Sequence, residues 1–263
     1  KKLEVVEIVL DVSQGDDPQT IFESINSTGL PLSLADLIRN YILMGLNHEN
    51  QKDIYQNYWE IIENLAKNKT TNQSLVSDFI RDFLTLETNN IPNKGKVYIE
   101  FKNNYPTNNF ESTKSTLLQL KNLVKHYNKL INPENESDFE IRTQLEYIQK
   151  LEINVAYPFL LKVYDDYFND IITKDILIEV LELIQSYTWR RFILGLQTNS
   201  LNKIFMNLYK SVDTNNYLYS IQAALVKKVG AQRFPKDSEL LDALKIKDVY
   251  NIQSKNRNYF LNR

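Results

Sequence analysis

Catalysis needs particular side chains at particular spacings, and this chain offers few. It has no cysteine, so a thiol nucleophile is excluded and zinc lacks its sulfur ligand. The two histidines, His48 and His126, have no acidic or histidine partner at metal-ligand spacing. Each reads as a helix-surface histidine, and neither supports a nucleophile triad. No glycine-rich phosphate loop with a following lysine is present. Asp165 and Asp166 are adjacent. They therefore point to different sides of a helix and fit a solvated face better than a general acid–base pair.

The most unusual window runs from Asp16 to Asn40. Asp17-Pro18 is a helix start, with Asp accepting orphan N–H groups and Pro suited to the first helical position. Asn26-Ser27-Thr28-Gly29 is a polar helix end, where Gly29 supplies left-handed backbone. Ser33-Leu34-Ala35-Asp36 then reads as a capping box with Asp in place of Glu. Two readings of this corner stand side by side. One is a well-capped turn between helices; the other is an anion site at the N–H groups of the second helix, beside Asn26 and Ser27. Asp36 and Arg39 are three apart on one helix face, the spacing of an ion pair.

A second polar group is Arg190-Arg191, following Trp189 at the end of a helix. Arginines there meet exposed carbonyls and the helix dipole. The alternative is a phosphate clamp completed by Asn199, Asn202 and Lys203 at the next helix N-terminus.

These residues must be positioned by long elements. The chain has 263 residues with only six glycines and seven prolines, about 5%, against roughly 12% in average proteins. Leu3–Leu10 is rich in β-branched residues and is the one convincing strand. The rest reads as amphipathic helix. Examples are Ile54–Leu65, Leu75–Leu84, Glu111–Ile131, Asp138–Leu151, Tyr157–Phe168 with Pro158 in its first turn, and a long helix capped by Thr173. Val97–Phe101 fits helix or strand. Asn132–Ser137 is a linker, and residues 51–131 and 138–263 form two helical regions behind an N-terminal piece, 1–50. The 16 tyrosines and 12 phenylalanines mostly fall at helical spacing and read as core.

The net charge of −2 selects no partner. Charge is segregated, however: nine basic and four acidic residues from Lys227 to the C-terminus, against twelve acidic and four basic from Glu134 to Glu182. The basic tail offers nonspecific, salt-dependent DNA attraction. No stretch is apolar enough for a membrane span, and the N-terminus is not a signal peptide. The lack of cysteine is compatible with the cytoplasm.

Phe22-Glu-x-Ile-Asn-Ser-Thr-Gly-x-Pro-Leu-Ser-x-Ala-Asp-Leu-Ile-Arg-Asn-Tyr41 resembles the hallmark of the GmrSD-type restriction family, in its ParB-like N-terminal domain. Tyr187-x-Trp-Arg-Arg-Phe, Thr198-Asn-Ser-Leu-Asn-Lys-Ile-Phe and Phe234-Pro-Lys-Asp, with Tyr250, Arg257 and Tyr259 behind, resemble its helical part. The resemblance implies a modification-dependent DNA restriction or phage-defence protein that uses a nucleoside triphosphate with Mg2+ and acts on modified DNA. It puts Asn26, Ser27, Gly29, Asp36 and Arg39 on the nucleotide side. The family's Asp-Gly-Gln-Gln-Arg motif and its His-containing HNH nuclease sequence are both absent. The chain then reads as the middle of a longer enzyme, catalytically incomplete by itself, with an N-terminal half and a nuclease domain as its missing partners.

The expected fold is mainly α: a helical bundle-like array with one N-terminal β-strand left from a ParB-like α/β domain. The competing functional reading is a helical protein–protein interaction module with no enzymatic or nucleic-acid role. Composition names no oligomeric state.

Overall fold

Helix caps and apolar periodicity set the elements. The computed structural model describes residues 20–22, 24, 32–107, 109–248, 251, 257 and 259–260. The strand expected at Leu3–Leu10 and the Asn26–Gly29 corner lie outside them. Behind Asp17-Pro18, Thr20, Ile21, Phe22 and Ser24 are helical.

Twelve α-helices run from Leu34 to Ile246. They are α1 (Leu34–Leu43), α2 (His48–Ile54), α3 (Glu60–Leu65), α4 (Val76–Thr88), α5 (Val97–Asn104) and α6 (Phe110–Ile131). The second half holds α7 (Phe139–Leu151), α8 (Tyr157–Phe168), α9 (Lys174–Ile193), α10 (Leu201–Leu208), α11 (Tyr217–Val226) and α12 (Asp237–Ile246). The fold is mainly α. There is no strand among the described residues, only an isolated bridge between Lys67 and Ser74. Val97–Phe101 resolves to helix.

Local chemistry explains the helix ends. Ser33 accepts from the Asp36 N–H at 3.1 Å, while its hydroxyl donates to the Asp36 carboxylate at 2.6 Å. The anticipated capping box is thus present in one direction only, because the short Asp side chain meets the serine hydroxyl instead of the cap N–H. Asp138 caps α7 through Glu140 and Ile141, and Thr173 caps α9 through Ile176. Gly195, at φ 67°, ends α9 in left-handed backbone; the Leu196 N–H reaches Arg191 O and the Gly195 N–H reaches Phe192 O. This is a Schellman closure, which needs a residue tolerant of positive φ.

Between α2 and α3 the helix continues as a π-helical turn, Tyr55–Trp59, which the 3.6-residue pattern does not reveal. Trp59 ends up fully buried, with its indole N–H on Glu63 at 2.7 Å.

One hydrophobic cluster extends from Ile38 on α1 to Tyr259. It joins the two helical regions assigned from sequence, because α6 packs on α7 and α8 and α4 packs on α8; within the second region α7 packs along α9. The Asn132–Ser137 linker is drawn into this body, with Asn132, Pro133 and Glu136 buried. Asn132 bonds Lys67 O and the Lys69 N–H, stitching the linker to the loop after α3. No helix among the described residues is long and apolar enough to cross a membrane.

Candidate functional site

On the nucleotide side, Asn26, Ser27 and Gly29 lie outside the described residues. Arg39 pairs with Asp36 at 2.7 Å, as the i,i+3 spacing predicts, and also with Glu63 of α3 at 3.0 Å. Glu63 in turn accepts from Trp59. Tyr41, two residues on, donates to Tyr105 O at 3.3 Å and accepts from the Thr107 N–H at 3.2 Å. The motif helix α1 is therefore bolted to the body. One guanidinium held between two carboxylates carries net negative charge, which does not fit a phosphate.

The five residues grouped as a DNA clamp do not converge. Arg191 is 1% exposed and turns inward, donating to Ala231 O at 2.5 Å and Gln197 O at 2.6 Å. Its guanidinium also lies over the Tyr187 ring. Arg190 bonds Pro235 O and pairs with Asp237 at 2.5 Å, over the Phe234 ring. These contacts agree with the carbonyl-binding reading of the pair, although the carbonyls belong to later loops. Tyr187 donates to Gln232 O, and Trp189 stacks on Phe192 and Phe260 and meets Tyr259 at a tilt. Asn199 and Lys203 are exposed, while Asn202 faces a different cavity altogether.

Two surface readings are corrected. His126 is 5% exposed, packed against Tyr164 and Phe168, with Nε2 3.9 Å from Asp165 and Nδ1 unpartnered. Burial pushes its pKa down to about 4, with Lys129 and Lys125 adding to the depression and Asp165 opposing it. Asp166 is 1% exposed and accepts from the Tyr209 and Tyr217 hydroxyls at 2.7 and 2.6 Å. The periodicity of α6 and α8 allowed both positions on the surface; packing of α6 on α8 and the return of the chain at Tyr209–Tyr217 buried them.

Nearby, Glu136 is buried and accepts from Tyr164 at 2.6 Å, Lys129 at 2.9 Å, the Asp138 N–H at 3.0 Å and, more distantly, Ser137 Oγ at 3.5 Å. Burial pushes its carboxyl upward, but these donors outweigh burial and hold it below the ordinary range.

The cavity that sequence reasoning missed lies between α4, α6, the end of α7 and the start of α8. Its volume is about 370 Å³. Asp82 and Tyr127 form its inner wall with Tyr157, and Asp78, Glu152 and Asn202 stand toward its mouth. Asp82 makes no hydrogen bond or ion pair with any described residue. Burial and the charge of Asp78 raise its carboxyl well above the usual range, against the opposing pull of Arg81. Tyr127 is 2% exposed, and its hydroxyl makes no hydrogen bond with any described residue. Burial and the charges of Asp82 and Asp78 push that hydroxyl upward too. Arg81 commits its Nε to Pro92 O at 2.9 Å. Glu152 sits in left-handed backbone at φ 51°, a costly conformation outside Gly and Asn.

A faint signal existed for half of this cavity. Asp78 and Asp82 are four apart, hence on one helix face, inside the apolar run Val76–Leu84. Tyr127 offered none, because its periodicity says only core.

No protein-family model, curated protein or solved structure matches the chain.

Proposed function

We propose that this chain is the central, mostly helical part of a GmrSD-like, nucleotide-dependent protein that restricts modified DNA in phage defence. The observation that carries the reading is the dense Phe22–Tyr41 window. The way its described half is held adds support: α1 is clamped by Arg39 to Glu63 and by Tyr41 to the Tyr105–Thr107 turn. The separate stretches around Tyr187, Phe205 and Phe234 also meet in one aromatic cluster.

In this reading the helical body is a buttress between two catalytic sequences. Because Arg39 is neutralised by Asp36 and Glu63, the triphosphate and its Mg2+ are assigned to sequence outside the described residues. Modified DNA is assigned to the whole enzyme, acting in the cytoplasm.

The test is a purified parent protein that carries both flanks, given ATP or GTP, Mg2+ and matched modified and unmodified DNA. Nucleotide hydrolysis with cleavage of the modified DNA alone is expected, and the 263-residue chain by itself is expected to be inactive. A parent that neither hydrolyses nucleotide nor distinguishes the two DNAs overturns the reading.

A further inference from the structure

We propose that the cavity between α4, α6 and the α7–α8 turn is a binding site for an aliphatic ammonium or guanidinium group, with Asp82 and Tyr127 as its acceptors. Charge selects the ligand class. Asp78, Asp82 and Glu152 line the space against one guanidinium, Arg81, which is tethered to Pro92 O. Such a lining repels phosphates and carboxylates and attracts cations.

Geometry narrows the class further. No group of three or more acidic or histidine side chains among the described residues could hold a metal ion. The carboxylates are thus spread around the space, where a point cation cannot reach them together. An extended organic cation can. Leu75, Ile91 and Pro158 also line the cavity, giving an aliphatic stem an apolar wall. The volume of about 370 Å³ lies in the range of small-ligand pockets.

Tyr127 is the independent sign that something binds. A hydroxyl on a 98% buried side chain normally finds a partner, in the protein or in ordered water. This one finds none among the described residues, although its neighbour Tyr157 reaches Leu130 O at 3.4 Å. A ligand N–H between Tyr127 and Asp82 satisfies both groups at once. Burial and the charge of Asp78 hold Asp82 toward its neutral form in the free chain, so a bound cation must draw the carboxyl into its charged form. None of this depends on the restriction-enzyme reading.

Two sources share this chemistry: a free amine such as agmatine, and an arginine or lysine side chain of a protein. Calorimetric titration of the full chain with agmatine, and separately with a capped Gly-Arg-Gly peptide, tests the site. Glutarate serves as the anionic control. Saturable one-to-one binding of a cationic probe is expected, and none for glutarate. Tighter agmatine binding names a small-molecule source, and tighter peptide binding names a protein partner. Asp82→Asn is expected to weaken binding at least about tenfold, the loss of a charge-assisted contact. Tyr127→Phe, which keeps the packing, weakens it severalfold. Binding should strengthen as pH rises through the Asp82 range, set by Asp78 and Arg81 on its own helix and by Tyr127, Tyr157 and Glu152 facing it. The proposal is overturned if neither cationic probe saturates, or if Asp82→Asn and Tyr127→Phe both bind as tightly as the parent chain.

Discussion

Asp82 and Asp166 are carboxylates on helices whose other faces build the core, yet their surroundings differ. Asp166 is enclosed by Tyr209, Tyr217 and Lys162, the last at 3.7 Å. Asp82 has no hydrogen-bond or ion-pair partner among the described residues, stands at a cavity and is held toward its neutral form by burial and by Asp78. A buried charge with donors ties elements together: Asp166 links α8 to the chain around α11. A half-buried charge without donors weakens the fold where it stands, and such places are candidates for binding. The same contrast separates Arg191, closed onto two carbonyls, from Lys203, exposed on α10.

Removing the enclosed carboxylate gives the largest expected effect. Asp166→Ala strands two tyrosine hydroxyls, while Lys162 keeps Asp165, and should cost about 3–5 kcal/mol of stability by urea unfolding. A loss below about 1 kcal/mol would show that the network is idle. Next comes His126, whose folded pKa of about 4 lies below the ordinary 6.5. The unfolded chain therefore binds this proton first as pH falls, so stability drops between pH 6.5 and about 4 and levels off below. The drop should approach about 3 kcal/mol, and His126→Phe should flatten it. An unchanged pH profile in that variant would assign the loss to other groups.

Arg191→Met should cost about 2 kcal/mol by leaving the Ala231 and Gln197 carbonyls unpaired, while Lys203→Ala stays within about 0.5 kcal/mol. Equal effects would dissolve the distinction between the two cations. A further expected change has the opposite sign. Asp82 has a raised folded pKa, so its contribution worsens as pH rises through that value. Asp82→Asn should therefore stabilise the chain at pH 7, by about 1 kcal/mol, as removal of a poorly accommodated functional group does. Destabilisation there would mean that Asp82 is a structural carboxylate like Asp166.

Much of the fold was legible because helix signals are local. Ser33 and Thr173 cap the helices they were expected to cap, and Pro158 sits in the first turn of α8. The Asp36–Arg39 pair follows from spacing alone. The π turn at Tyr55–Trp59 left no such mark, since one extra residue per turn is invisible in a short apolar pattern. The candidate sites were legible only in part. Arg190 and Arg191 stood out in the sequence, but their adjacency says nothing about the later loops that receive them.

The sequence by itself determined the mainly helical character, the caps and the apolar faces, because these depend on neighbours three or four residues away. Only the tertiary structure decided which polar groups are enclosed. Asp166 finds Tyr217 across 51 positions, and Arg191 finds Ala231 across 40. His126 and Tyr127 are adjacent, yet packing leaves one without a hydrogen-bond partner for Nδ1 among the described residues and sets the other beside an acidic cavity. Burial of a polar group is a property of what returns to cover it, and helix periodicity carries no information about that return.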